Sequence, residues 1–265
     1  MIEDYHLHTK FSFDSRQELK ELCDKAVHEG IQQICFTDHV ELGLENENQV
    51  PDFYEREIEI EQCRNLFPKI EILSGAEIGQ PHKNINYVKE LLQQHPLDFV
   101  IASVHTVSEK GNPSKFGFTA ENCKEFLNQY LEDLKDVASN CDYDVMGHVT
   151  LPFRYIPQEL REQFPIEIFR KEYMELFEII VQREKGIEIN TSGLRTVLEE
   201  TLPNALVLQW YKDCGGRIIT IGSDGHSVYS AFSGLETGYH MLKDLGYDKI
   251  ATYHKRVLSF KGLDN

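Results

Sequence analysis

Seven short runs rich in β-branched and aromatic residues alternate with seven longer runs of helical periodicity in this chain. That alternation narrows the available folds more than any other feature. The β-rich runs are Ile2–His6, Ile31–Thr37, Ile70–Ala76, Leu97–Val104, Asp144–Gly147, Gly186–Ile189 and Arg217–Gly222. The helical runs are Gln17–Glu29, Tyr54–Leu66, Ile85–Gln94, Ala120–Ala138, Glu167–Glu184, Leu202–Cys214 and Ala231–Leu245. A repeated strand–helix–strand unit makes neighbouring strands parallel, because the helix carries the chain back to the starting edge. Seven units in 265 residues predict an α/β barrel, with residues 1–265 forming a single domain. Thr119 is expected to cap the fourth helix, and Gly30 and Gly246 to end helices. Three longer connections, Val40–Phe53, Thr106–Phe118 and Val149–Pro165, each follow a strand, where a barrel places its active-site loops.

Composition excludes several partners. The 44 acidic residues against 27 basic ones give a formal net charge of −17, which repels nucleic-acid backbones and anionic membranes alike. No window of about 18 uninterrupted apolar residues offers a membrane span. The opening Met1–His6 lacks the basic and apolar regions of a secretory signal, which predicts a cytoplasmic protein. The six cysteines are scattered without a CxxC pair and read as reduced thiols filling the core. If the substrate is an anion, something other than net charge must attract it.

The chemistry lies in the histidines. There are eleven, and six sit at or just past the C-terminal ends of predicted strands: His6, His8, His39, His105, His148 and His226. Glu77 and Asp224 occupy the same kind of position. Period-2 alternation puts His6 and His8 on one strand face, so that both imidazoles reach one ion. In a parallel barrel all those strand ends open onto one face, and this set of imidazoles and carboxylates makes a polynuclear site for divalent metals. The other five read as solvated residues, His28 and His95 at helix ends, His240 within a helix, and His82 and His254 in or near loops.

These motifs are Asp4-Tyr5-His6-Leu7-His8-Thr9, Thr37-Asp38-His39, Gly75-Ala76-Glu77, Ser103-Val104-His105, Gly147-His148 and Ser223-Asp224-Gly225-His226. In kind and order the set resembles the polymerase-and-histidinol-phosphatase (PHP) family. The resemblance implies a distorted, TIM-like (β/α)7 barrel holding up to three divalent ions, with zinc, iron and manganese all possible. By position, one ion takes His6, His8, Glu77 and Asp224. A second takes Glu77, His105 and His148, with Glu77 bridging. A third takes His39, His226 and Asp14, the last standing where some members have histidine.

Within the family, the runs Arg154-Tyr155 and Glu188-Ile189-Asn190-Thr191-Ser192-Gly193-Leu194-Arg195 resemble the bacterial histidinol-phosphate phosphatases. The expected activity is hydrolysis of L-histidinol phosphate, a small phosphomonoester, in histidine biosynthesis, by a hydroxide bridging two metals. Arg154 and Arg195 are expected on the phosphoryl oxygens, where a guanidinium fork matches better than a lysine. Surface pairing of either arginine with one of the many acids is the plainer reading. Ser103 and Asn190 are expected to touch substrate, and Asp224 and His226 to border the leaving group. Three carboxylates, Asp14, Glu77 and Asp224, set against three divalent ions leave a local balance of about +3, a cationic well inside an acidic protein. The acids Glu41, Glu45 and Glu47 on the first long connection are available to the substrate's amine and imidazole, or are simply solvated.

Three alternatives stay open. A phosphatase of this family acting on nucleotides or other phosphomonoesters would carry the same ligands. An amidohydrolase also opens with HxH on a barrel strand, but usually needs a lysine at a later strand end, where this chain has Glu77. A metal-dependent regulatory module would need no catalysis, although such modules tend to lose ligands.

Overall fold

In the computed structural model, which describes residues 2–44 and 47–263, the strands are β1 (Glu3–Leu7), β2 (Gln33–Phe36), β3 (His39–Leu44), β4 (Glu47–Gln49), β5 (Glu71–Gly79), β6 (Phe99–Ser103), β7 (Val145–Met146), β8 (Gly186–Asn190), β9 (Ile219–Gly222), β10 (Lys249–His254) and β11 (Val257–Gly262). The helices are α1 (Leu19–Glu29), α2 (Phe53–Leu66), α3 (Ile85–Gln94), α4 (Cys123–Asn140), α5 (Gln158–Gln163), α6 (Arg170–Gln182), α7 (Ala205–Asp213) and α8 (Leu235–Asp244). Strands pair in the order β1-β2-β5-β6-β7-β8-β9, every pair parallel. Seven strands, each followed by helix, make the distorted (β/α)7 barrel. The circle closes where β9 runs past β1: the Asp224 N–H donates to the His6 carbonyl at 2.8 Å and the His8 N–H to the Gly225 carbonyl at 2.9 Å.

Burial explains the layers. A large apolar cluster lies between helices and sheet, holding Leu22 and Ala26 of α1, Phe126 and Leu134 of α4 and Phe177 of α6. A smaller one fills the barrel interior with Tyr5, Cys35, Leu73, Phe99, Ile101 and Val145. Ala251 and Tyr253 of the β10–β11 hairpin complete this inner cluster. The Tyr253 N–H donates to the Tyr5 hydroxyl at 2.9 Å, and that hydroxyl donates to Gln33 Oε1 at 2.8 Å. The apolar plug leaves the opposite, C-terminal ends of the strands for polar chemistry.

Several local expectations need correcting. The third predicted strand does not stop before Glu77 but runs on to Gly79, because β3 pairs with its far end, His39 opposite Glu77 and Glu41 opposite Gly79. The connection read as Val40–Phe53 is therefore partly a strand pair, β3 with β4. Thr119 does not cap α4, which begins at Cys123; the Asn122 side chain instead accepts the Thr119 N–H. Gly30 does end α1, with φ 72°, and Gly246 follows α8 with φ 72°. Five cysteines are buried and Cys214 is half-buried, all as free thiols.

Candidate metal centre

The strand ends gather their donors around one cavity of about 590 Å³, walled by Asp14, His39, Glu77, His105, His148, Asp224 and His226, with His6 and His8 buried behind them. His6 and His8 leave the end of β1 two residues apart and turn Nε2 toward each other at 3.0 Å. Glu77 Oε2 lies 3.2 Å from His6 Nε2 and 3.5 Å from His8 Nε2. Asp224 Oδ1 stands 3.4 Å from His8 Nε2 and 3.8 Å from His6 Nε2. Four ligands at metal distances of about 2.0–2.2 Å in a tetrahedron sit roughly 3.3–3.6 Å apart, and the separations here, from 3.0 to 3.8 Å, bracket that spacing. Glu77 Oε1 faces the other way, 2.8 Å from His148 Nε2 and 3.0 Å from His105 Nε2, which are 3.2 Å apart. One carboxylate thus serves two donor groups. Beside them, Asp14 Oδ2 lies 3.4 Å from His39 Nε2 and 3.2 Å from His226 Nε2. His39 also reaches Glu77 Oε2 with Nδ1 at 3.0 Å. All nine residues expected as ligands meet in this one place.

The backbone is bent to achieve this. His148 and Asp224 both adopt positive φ, 23° and 52°. Such conformations cost about 1–3 kcal/mol each and persist where surrounding bonds enforce them. Here the His148 N–H is held by Glu188 Oε2 at 3.1 Å and the Asp224 N–H by the His6 carbonyl. Gly222 lies so close to His6 and Glu188 that any Cβ would collide with both, which fixes glycine before the Ser223-Asp224 pair.

Two carboxylates of the centre were not singled out as such from sequence. Glu188 on β8 is fully buried and binds His6 Nδ1 at 2.6 Å. Glu41 on β3 is buried and binds His105 Nδ1. Each holds the far ring nitrogen of an imidazole, so that Nε2 is offered inward. Glu41 is therefore not a solvated loop acid, while Glu45 and the side chain of Glu47 lie outside the described residues. The signal for Glu188 was available: it shares the inward face of β8 with Asn190. Ser103 and Asn190 are corrected. Both are completely buried and off the cavity wall, Ser103 donating to Glu77 Oε1 at 2.6 Å and Asn190 to Glu188 Oε2 at 3.1 Å and Asp224 Oδ2 at 3.3 Å. Both bond to carboxylates of the site rather than line its cavity. Arg154 and Arg195 do line the cavity, Arg154 beside Ser192 Oγ at 3.3 Å and Arg195 donating to the Ser223 carbonyl at 2.8 Å. None of the five remaining histidines lines it.

The donor set fits divalent ions: imidazoles and carboxylates suit zinc, iron and manganese, and Glu77 Oε2 and His39 Nδ1, although 3.0 Å apart, are not aligned for a hydrogen bond, so both are buried with that capacity unused. Electrostatics agree. Burial opposes charge on His6, but Glu188, Glu77 and Asp224 overcome it and hold its pKa well above the usual imidazole range. Burial is likewise outweighed at His105, chiefly by Glu41 and Glu77, and at His39, pushed up to about 10 chiefly by Glu77 and Asp14. His226 is raised by Asp14 and Asp224 against its burial. Glu77 and Asp224 are held well below the carboxylate range despite burial, by His105, His6 and His39 around Glu77 and by His6 and His8 around Asp224.

Metal ligation needs neutral imidazoles, so ions must displace these protons and affinity must fall as pH falls. Zinc added to metal-free protein at pH 7 is expected to release more than one and up to four protons, from His6, His39, His105 and His226. A pH-indicator titration in weak buffer reads this, and zinc uptake without proton release would contradict the arrangement.

Comparison with known proteins points the same way. The family model described as "PHP domain" matches residues 4–192. The chain is 28% identical over 256 residues to the histidinol-phosphatase of Lactococcus lactis, covering 94% of this chain and 93% of that protein. A Thermotoga maritima protein named "Probable histidinol-phosphatase" is 27% identical over 258 residues, 97% of this chain and 98% of its own. The crystal structure of the Lactococcus lactis histidinol phosphate phosphatase complexed with zinc, L-histidinol and phosphate superposes with a TM-score of 0.88 at 27% identity, over 97% of this chain and 98% of that one.

Proposed function

This chain belongs to the PHP domain family, and from that premise we propose that it is a hydrolase that cleaves L-histidinol phosphate to L-histidinol and phosphate in histidine biosynthesis. The observation that carries the proposal is Glu77, whose two oxygens face separate groups of imidazoles at the floor of a cavity lined by two arginines. The relative solved with zinc, L-histidinol and phosphate shares the fold over nearly its whole length, which supports the same substrate here.

His6, His8, Glu77 and Asp224 would hold one ion, Glu77, His105 and His148 a second, and Asp14, His39 and His226 a third. Bound divalent ions supply Lewis acidity at the phosphoryl group and lower the pKa of water from 15.7 to about 7. Arg154 and Arg195 take the phosphoryl oxygens, orienting the phosphorus over the floor and neutralising charge that builds in the transition state. Ser103 keeps Glu77 aimed, and Glu41 and Glu188 keep His105 and His6 aimed. Asp224 and His226 border the position of the leaving alkoxide. The catalytic set is therefore Glu77, Asp224, His226, Arg154 and Arg195. Zinc, iron and manganese all suit these donors. The family match at residues 4–192 extends, on this reading, to one domain of residues 1–265 in a cytoplasmic enzyme. Among the described residues no helix is long and apolar enough to cross a membrane.

Steady-state phosphate release, with metal analysis of the same sample, tests the proposal. Histidinol phosphate is expected to turn over with kcat/KM at least tenfold above any nucleoside monophosphate, and chelation is expected to abolish the activity. Preference for a nucleotide would move the assignment to another phosphomonoesterase of the family, and chelator-resistant turnover would remove the metals from the reaction.

A further inference from the structure

One buried cluster beside the metal centre takes no part in the chemistry above. Ser12, Asp38 and Arg56 are all buried, and none lines the cavity. The Ser12 hydroxyl donates to Asp38 Oδ1 at 2.9 Å. The same oxygen lies 3.1 Å from His8 Nδ1 and accepts the His39 N–H at 3.1 Å. A serine hydroxyl carries one hydrogen and two lone pairs. Its hydrogen is committed to the carboxylate, so toward His8 it can only accept. His8 must then carry its hydrogen on Nδ1, which leaves Nε2 bare, and Nε2 is the atom that faces His6, Glu77 and Asp224.

Asp38 is fixed in turn. Its Oδ1 accepts the Thr9 N–H at 2.7 Å, and the Thr9 hydroxyl reaches both carboxylate oxygens at 2.9 and 3.0 Å. That hydroxyl accepts the Phe11 N–H at 3.3 Å, so its hydrogen also points at Asp38. Behind the carboxylate sits the fully buried guanidinium of Arg56, with Nη1 3.5 Å from Asp38 Oδ2 and Nη2 donating to Ser74 Oγ at 2.8 Å. A buried cation needs an anion nearby, and Asp38 supplies it.

We propose that Ser12 is a positioning residue of the metal centre: its hydroxyl, oriented by Asp38 and Arg56, holds His8 in the tautomer that offers Nε2 and ties that ring to the backbone of His39. His6 and His105 are oriented by carboxylates, whereas His8 depends on a neutral hydroxyl whose direction is set from behind. The inference rests on the metal-binding reading of the site.

The test is zinc affinity, measured by chelator competition on wild type, Ser12→Ala and Ser12→Thr, with metal-free melting temperatures alongside. Loss of a group that orients a ligand typically weakens metal binding about 10- to 100-fold, and Ser12→Ala is expected in that range, with Ser12→Thr restoring most of it. Affinity of Ser12→Ala within twofold of wild type overturns the proposal while leaving the metal centre standing. Wild-type protein that takes up no zinc overturns the metal reading and this inference together. A measurement independent of any variant is the ¹⁵N spectrum of zinc-loaded, histidine-labelled wild type. It should show His8 protonated on Nδ1 and ligated through Nε2, and the reverse assignment overturns the proposal.

Discussion

Replacing Glu77 with alanine is expected to lower turnover of histidinol phosphate about a thousandfold and to strip metal from the purified protein. The reason is geometric: Oε2 faces His6 and His8, while Oε1 faces His105 and His148, so one side chain joins two donor groups. Metal ions contribute several kcal/mol of charge stabilisation in such reactions, and each 1.36 kcal/mol is tenfold in rate, which gives about three orders of magnitude. Truncation also leaves His105, His6 and His39 crowded without the carboxylate that sustains their charge, so metal-free stability should fall too. Glu77→Gln separates the effects. The amide keeps the volume and one acceptor but cannot bridge, so it is expected to fold near wild type and still lose most activity. Near-normal turnover and metal content in Glu77→Gln would show that the bridge is not the working element.

The second large effect concerns Arg154 and Arg195. Sequence alone set three carboxylates against three divalent ions, a balance of about +3. Glu41 and Glu188 press against His105 and His6 as well, so five carboxylates against three divalent ions would leave only about +1. The arginines would then supply most of the net attraction for a phosphate dianion. Hydrogen bonds to charged groups are worth about 1.5–3 kcal/mol each, or roughly 10- to 100-fold in rate. Arg154→Ala and Arg195→Ala should each lower kcat/KM by that factor, and the double variant by about a thousandfold, with inorganic phosphate becoming a weaker inhibitor. Metal content should stay at the wild-type level, because neither guanidinium touches a ligand side chain: Arg195 donates to backbone carbonyls of Ser223 and Asp224, and Arg154 to Ser192. Unchanged kcat/KM in the double variant would return both arginines to the plainer reading of surface pairing.

The nine donor residues were legible because parallel strands impose one rule: whatever follows a strand end arrives at the same rim. His105 and His148 follow β6 and β7 at almost the same height for that reason. What escaped the sequence depended on pairing partners. The stretch from His39 to Leu44 looks like the start of a polar connection, and it is a strand only because the end of β5 is there to bond with. The β10–β11 hairpin escaped for a local reason. Its turn residues Lys255 and Arg256 both adopt positive φ, 51° and 61°, where a hairpin turn usually announces itself with Asn-Gly or Gly. Ser103 and Asn190 were misassigned because a polar residue at a strand end reads the same whether it faces substrate or a ligand behind it. The burial of both, the bond from Ser103 to Glu77 and the bonds from Asn190 to Glu188 and Asp224 separate the cases.

Anomalous diffraction at the zinc edge from crystals of the zinc-loaded protein puts the central claim to its most direct test. The peaks should fall inside the donor groups, one among His6, His8, Glu77 and Asp224 and one among Glu77, His105 and His148, with the Glu77 carboxylate between them. A third should lie near Asp14, His39 and His226. Peaks confined to surface acids, with the nine side chains left as they stand in the free protein, would contradict the account.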